Sequence, residues 1–482
     1  MSESSMVSYD LVVIGGGPAG VSGAAAAGLI GRRVALVEQE PLIGGAGINT
    51  GTIPSKTLRE TSLMLSGWRS RRLFGVDLSL RREATVTDFM RHEKQVTSTE
   101  RHRIEERLGR NGVVRISGTA SFLDPHTVQI TNRAGAVTRV RGDHILVATG
   151  SSPLRPAEFP FGDPRIHDSN EILQLTALPK KLAVIGAGVV GSEYAGTFAA
   201  LGAEVYLIDG RDVLLPFLDH EISAALTAAM TANGVKFLWK EKVIHCDASG
   251  PGDAVLTLTS GAKLSCDGVL VCAGRSSNTE VLNLAAAGLT PGKRGLIQVG
   301  AHFQTTEVPH IYAAGDVIGP PALAATGIEQ ARVAVCHAFG VSLKKDISPV
   351  LPTGIYTIPE ASMVGETENA LREKGVPYVV GRARYSDIPR GDIIGDHTGL
   401  LKLLFHRDDL RLLGAHVMGE HATEVIHVGL VAVLAEATAE LFNRACFNYP
   451  TLGDLYKYAT YDALLRRSGR ELRPVHEQSA QT

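Results

Sequence analysis

Residues 9–14 (YDLVVI) form an apolar run that opens directly into residues 15–20 (GGGPAG), followed by an alanine-rich stretch from Val21 and a second apolar run, VALVE, ending at Glu38. A continuous apolar run of this length reads as a strand covered on both faces of a parallel sheet. The same order recurs in residues 182–186 (LAVIG), 186–191 (GAGVVG), a helix from Ser192, and AEVYLID ending at Asp209. Glu38 lies 23 positions beyond Gly15, and Asp209 lies 23 beyond Gly186. Two units with one spacing predict two βαβ dinucleotide-binding modules.

In the first unit Gly15 allows a tight turn, Gly17 admits a pyrophosphate to the backbone, and Gly20 lets helix and strand pack closely. The helix N-terminus then presents amides and its dipole to phosphate, and Glu38 can accept hydrogen bonds from a ribose diol. A lone glycine triplet is weak evidence, but strand, helix and acidic terminus occur here in register. The second unit repeats the triplet as Gly186, Gly188 and Gly191. Asp209 suits the free ribose hydroxyls of NAD(H), whereas Arg211, two residues on, suits the 2′-phosphate of NADP(H). Arg211 is also readable as a plain loop cation.

A third constellation runs from Thr306 through residues 311–316 (IYAAGD), where a strand ends at Gly315-Asp316 before a helix start in PPALAATGIEQARVA. Asp316 can take a flavin ribityl hydroxyl. Ala148-Thr149-Gly150 and Ala273-Gly274-Arg275 each end an apolar strand and mark crossings between nucleotide domains. Residues 88–110 read as a polar helix followed by short strands (VVRISGTASF, HTVQI). Beyond residue 347 there is neither glycine fingerprint nor phosphate loop, only strand-like segments (LKLLF, LLGAHVMG) and a long apolar helix over residues 422–441. That surplus of apolar surface suits subunit association. The expected organisation is a FAD-binding domain (residues 1–150 and 276–346), an NAD(P)-binding domain (151–275), a dimerisation domain (347–465) and a frayed polar tail (466–482).

Length sets similar bounds, since 482 residues suggest about three domains. The 52 glycines exceed the usual share of roughly 7%. A net charge of -2 leaves no footprint for nucleic acid or an anionic membrane, and the short basic run RSRR at residues 69–72 reads as a solvated helix end. Five cysteines are too sparse for a disulfide framework. Cys266 and Cys272, read on one strand (CDGVLVCAG), would stand ~20 Å apart, beyond disulfide reach. No metal-ligand spacing occurs. The first ten residues carry no Lys or Arg and no apolar stretch approaches ~20 residues, so neither signal peptide nor membrane span is expected and the cytoplasm is the default.

Residues 9–465 resemble the flavoprotein pyridine-nucleotide disulfide oxidoreductases. GTIPSK (51–56), VIGAGVVGSEYAG (184–196), LIDGRDVLLPFLDHEIS (207–223), PTGIYTIPE (352–360) and FNYPT (447–451) are similar to the transhydrogenase branch of that family. The resemblance implies an α/β fold with two Rossmann-like domains, an α+β dimerisation domain, FAD as cofactor, NAD and NADP as substrates, and a homodimer. It adds Gly45, Thr52, Thr149, Gly150 and Ala324 to the flavin contacts, and Gly274 and Arg275 to the nucleotide region. It also implies that Lys56 and Glu193 form an ion pair beside the flavin N5, with Glu193 contacting the nicotinamide carboxamide.

The departures from the family matter as much. Disulfide reductases of this group carry a cysteine pair where this chain has Gly47 and Thr52, and a His and Glu where it has Tyr449 and Asp454. Dithiol exchange needs a thiolate and a proton shuttle, so no disulfide reduction is expected. What remains is hydride passage between nicotinamide and flavin: NADPH + NAD⁺ ⇌ NADP⁺ + NADH, ping-pong through one site. A diaphorase passing electrons to quinones is the nearer rival, separable by relative rates. A non-catalytic nucleotide sensor is the other, and it predicts no flavin, or flavin that NADPH cannot reduce.

Overall fold

The computed structural model describes residues 6–68 and 85–470. Residues 69–72, read above as a helix end, and residues 471–482 of the polar tail lie outside the described residues.

Strand Val7–Ile14 pairs in parallel with Val34–Glu38 on one side and Val137–Val147 on the other. Val114–Ser117 continues the sheet beyond Val34–Glu38, and Ile311–Ala313 adds a strand beside Val137–Val147. The apolar run needs no alternation because both faces are covered. Leu11, Val13 and Leu36 enter the core beneath helices Pro18–Leu29 and Ala324–Ala338, while Val12, Ile14, Ala35 and Val37 enter a second core on the opposite face. The long Val137–Val147 strand also carries an antiparallel extension, Thr127–Thr131 and Thr119–Phe122.

The second sheet repeats the plan in the order Val235–Trp239, Glu204–Asp209, Lys181–Ile185, Gly268–Val271, Ile166–Asp168, all parallel. The two nucleotide modules are joined by a two-stranded ribbon, Ser151–Pro153 against Arg275–Ser277, at the two strand ends singled out above. The third sheet is antiparallel, in the order Thr353–Ile355, Glu360–Gly365, Leu412–Gly419, Leu400–His406, Tyr378–Arg384, and packs against Ala422–Leu434 and Asp454–Arg467.

Three expectations are corrected. The apolar helix does not run over residues 422–441. It stops at Leu434, and a new helix, Ala439–Arg444, begins after a turn with Glu436 at φ 48°. The sheet captures that turn, since Leu412 N donates to Ala437 O (2.9 Å) and Ala439 N to Leu410 O (2.9 Å). Cys266 and Cys272 do not share a strand either. Lys263–Cys266 ends one ribbon and Gly268–Val271 belongs to the parallel sheet, with Asp267 between them accepting from Lys180 N and Lys181 N. Finally, Arg466 and Arg467 are not part of a frayed tail. They finish the Asp454–Arg467 helix, where Arg466 Nε bonds Asp462 Oδ2 at 2.9 Å.

A buried charge network ties the second module to the third. Lys402, 1% exposed, reaches Asp219 (2.7 Å), Glu221 (3.0 Å) and Glu368. Those three carboxylates are the one group among the described residues spaced to hold a metal ion, and the Lys402 ammonium already sits against all three. Val431, Leu434, Leu441, Tyr449 and Tyr458 of the third module are exposed on the single chain. No described helix is long and apolar enough to cross a membrane.

Candidate active site

At the first glycine turn, close approach decides residue choice. A Cβ on Gly20 would stand 1.8 Å from Gly15 O, and Gly15 itself has φ +106° with its backbone against Ala148. Glu38 locks the turn, its Oε2 accepting from Gly16 N at 2.7 Å and its Oε1 from Glu40 N at 2.8 Å. Gly17 and Gly45 face each other backbone to backbone, leaving a side-chain-free cradle over the start of helix Pro18–Leu29. That helix has no side-chain cap, and neither does Val189–Ala200 after Gly188. Val86–Arg110 and His220–Ala232, by contrast, are capped by Thr85 with Asp88 and by Asp219. The two fingerprint helices keep their first amides free for an anion.

Asp316 follows Gly315, whose amide donates to Gln330 Oε1 (2.8 Å). Its Oδ2 accepts from Ser151 Oγ at 2.6 Å, and Arg275 binds that serine through Nε (2.7 Å) and Nη2 (2.6 Å, to the carbonyl) while lying 3.9 Å from the carboxylate. Thr149 Oγ1 is buried without a partner, while Asn278 holds the Thr149 carbonyl (2.9 Å). Helix Ala324–Ala338 points an uncapped N-terminus at this region, and Gly327 packs on Gly315. The orphaned Thr149 hydroxyl, the glycine cradle and the uncapped helix N-terminus fit FAD. Asp316→Ala is expected to weaken FAD by about 0.5–1.5 kcal/mol, two- to tenfold in dissociation constant. Flavin retention after dilution measures it, and an unchanged affinity would remove Asp316 from the site.

Lys56 and Glu193 stand 137 residues apart in the chain, yet Nζ and Oε2 meet at 2.6 Å. Helix Thr52–Leu65 brings the lysine from the first module and Val189–Ala200 brings the glutamate from the second. Glu193 is buried and its other oxygen accepts from Tyr356 N at 2.9 Å, while the Tyr356 ring lies 4.9 Å from the ammonium. Lys56 keeps a quarter of its side chain exposed. The pair therefore joins all three modules and leaves one cation open at the seam.

The second glycine turn copies the first. A Cβ on Gly191 would stand 1.9 Å from Gly186 O, and one on Gly188 would meet nothing within 4 Å. Asp209 Oδ2 accepts from Ala187 N at 2.7 Å, as Glu38 does from Gly16. Arg211 is not a free loop cation. Its Nε and Nη2 bond the two Asp209 oxygens at 2.8 and 2.6 Å, and its amide adds a third bond to Oδ1. Burial opposes the charge on Asp209, but Arg211 and the Ala187 amide outweigh it and hold the carboxyl down at about 2.

The thiol positions are closed to thiol chemistry. A Cβ on Gly47 would stand 2.5 Å from Pro18 Cγ, so a cysteine there would push the proline ring that starts the first fingerprint helix. Thr52 begins the helix that carries Lys56. Burial raises Cys246 to about 11 and Cys266 and Cys272 to about 12, keeping them protonated at neutral pH. Tyr449, 72% exposed, and Asp454 lie in the third module. Sequence reasoning gave no role to Ser151, Gln330, Asn278 or Tyr356. Tyr356 lies inside PTGIYTIPE, but neither its amide bond to Glu193 nor the approach of its ring to Lys56 is signalled by the spacing of that motif.

Comparison with known proteins places this geometry. Residues 9–338 match the pyridine nucleotide-disulphide oxidoreductase profile and residues 351–460 match the dimerisation domain of the same family. A soluble pyridine nucleotide transhydrogenase of Mycobacterium bovis is 44% identical over 460 residues, covering 95% of this chain and 98% of the relative. One from Azotobacter vinelandii is 41% identical, with the same coverages. Among solved structures, the HOCl-induced flavoprotein disulfide reductase RclA of Escherichia coli superposes with TM-score 0.86 at 25% identity, covering 95% of this chain and 99% of that one. LpdA of Mycobacterium tuberculosis gives the same values.

Proposed function

This chain belongs to the pyridine nucleotide-disulphide oxidoreductase family, and from that membership we propose that it is a FAD-dependent NAD(P)⁺ transhydrogenase, moving hydride from NADPH to NAD⁺. The observation that carries the reading is the combination of an intact Lys56–Glu193 pair, 2.6 Å, with Gly47 and Thr52 at the thiol positions. Bound FAD supplies a two-electron carrier that accepts hydride from one nicotinamide ring and returns it to another. The chain's residues bind and orient. Gly15, Gly17, Gly20, Gly45 and Glu38 take the adenosine diphosphate half of FAD, and Thr52, Thr149, Gly150, Gly315, Asp316 and Ala324 take the flavin half. Gly186, Gly188, Gly191, Asp209, Arg211, Gly274 and Arg275 take the nicotinamide nucleotide. Lys56 keeps a positive charge against the flavin, and Glu193 fixes that lysine.

The same reading assigns FAD to residues 1–150 and 276–346, NAD(P) to 151–275 and dimerisation to 347–465. It seats a second copy on the exposed Val431, Leu434, Leu441 and Tyr458, forming a homodimer, and locates the enzyme in the cytoplasm. Initial rates with NADPH and NAD⁺ as sole substrates test it. Parallel double-reciprocal lines and NADH formed in step with NADPH consumed are expected. Rapid electron passage to a quinone with negligible NADH formation would instead favour the diaphorase.

A further inference from the structure

The 2′-phosphate of NADP(H) brings about -1.5 to -2 charges at neutral pH, and one arginine already neutralised by Asp209 cannot balance it. Asp209 and Arg211 form a saturated pair, with the two carboxylate oxygens accepting from Ala187 N and from three Arg211 groups. The neighbouring charges are mostly accounted for. Lys240 pairs with Asp212 at 3.2 Å, and Glu241 Oε2 accepts from Thr259 Oγ1 (2.6 Å) and Ser260 N (3.1 Å). Lys242 makes no ion pair among the described residues, and it is exposed.

Its position is not casual. The Lys242 stem crosses Gly210, the residue between Asp209 and Arg211, and a Cβ there would meet Cε at 2.9 Å, Cγ at 3.5 Å and Cδ at 3.8 Å. The backbone fixes that crossing. Lys240 N donates to Arg211 O (3.0 Å), Glu241 N to Asp209 O (3.2 Å), and Lys242 N to Thr259 Oγ1 (3.2 Å). The end of the edge strand is thus stitched to the end of the strand that carries Asp209, and the Lys242 stem lies across the residue between Asp209 and Arg211.

We propose that Lys242 is the second cation of a 2′-phosphate subsite, joined by the Arg211 guanidinium when NADP(H) draws it off Asp209. The inference rests on the Gly186–Gly191 turn being the nucleotide site, and it makes Lys242 a determinant of NADP(H) over NAD(H). Before the phosphate arrives, Arg211 masks the Asp209 charge that would otherwise repel it. Lys242 then supplies the positive charge that the masked pair lacks.

The probes are adenosine 2′,5′-bisphosphate and AMP, titrated calorimetrically into the FAD-loaded protein. Lys242→Gln is expected to weaken the bisphosphate about tenfold and AMP by less than about twofold, as loss of one charged contact implies. Lys242→Arg should restore it, and the salt dependence of bisphosphate binding should flatten in the glutamine variant. Bisphosphate binding intact in Lys242→Gln but lost in Arg211→Ala would overturn this inference alone, as would equal losses of both probes in Lys242→Gln. Both probes unaffected by Lys242→Gln, Arg211→Ala and Gly191→Ala would overturn the nucleotide site beneath it.

Discussion

Lys56→Met is expected to slow the bleaching of bound FAD by NADPH about 100- to 1000-fold, the usual cost of deleting one preorganised charge from a reacting centre. The ammonium lies where the three modules meet, 2.6 Å from Glu193 and 4.9 Å from the Tyr356 ring. Without it, the Tyr356 amide is the one remaining partner of this buried carboxylate among the described residues. Breaking a fully buried pair costs about 3–5 kcal/mol. Because Lys56 is a quarter exposed, water can replace part of its contact, and about 1–3 kcal/mol of folding stability is the discounted figure. Stopped-flow absorbance reads the rate and thermal melting reads the stability. A rate within a few-fold of the parent would remove Lys56 from the hydride step, whatever the melting curve showed.

The second large effect separates the two modules. Gly191→Ala places a methyl 1.9 Å from Gly186 O, so the turn must open by more than any side chain can absorb. Overpacking of this kind costs about 1–3 kcal/mol, and here the strain falls on the turn itself, so NADPH and NADH should both weaken about 10- to 100-fold. FAD, assigned to the other glycine turn, should stay bound and remain reducible by dithionite. Comparison with Gly20→Ala, where the methyl would stand 1.8 Å from Gly15 O, completes the test: that variant should lose FAD first. Loss of flavin from Gly191→Ala, or undiminished NADPH affinity, would break the assignment of one nucleotide to each turn.

Much of this architecture is legible in the residues. The strand–turn–helix units at Gly15 and Gly186 declare themselves because a doubly covered strand must be apolar throughout, and a helix packed on a strand end tolerates only glycine at the contact. The break at residues 435–438 is not legible. Alanine and glutamate there favour helix, and the chain turns because the sheet edge at Leu410 and Leu412 takes its backbone bonds. The division of CDGVLVCAG is equally hidden, since it depends on Asp267 capturing two amides from residues 180 and 181.

Within the site, local and distant pairs differ in the same way. Asp209 and Arg211 are readable as neighbours two positions apart, but nothing in that spacing says that they saturate each other. Lys56 and Glu193 are 137 positions apart, and no periodicity connects them. Family resemblance alone suggests the pairing, and the two helices realise it. Lys242 is invisible beforehand because its relevance lies in a stem crossing a glycine on the adjacent strand end.

Glycine and threonine at the thiol positions lead to the sharpest expectation: FAD should be the sole two-electron store bound by this chain. Cys246, Cys266 and Cys272 are held protonated by burial, with values near 11 to 12, and neither Gly47 nor Thr52 can supply a thiolate. The most direct measurement is an anaerobic titration of the FAD-loaded protein with NADPH, followed by NAD⁺. Full bleaching at about one equivalent per FAD is expected, with no long-wavelength thiolate-to-flavin band, and with return of the oxidised spectrum and formation of NADH when NAD⁺ is added. A second reducing equivalent per FAD, a thiolate charge-transfer band, or flavin that NAD⁺ cannot reoxidise would contradict it.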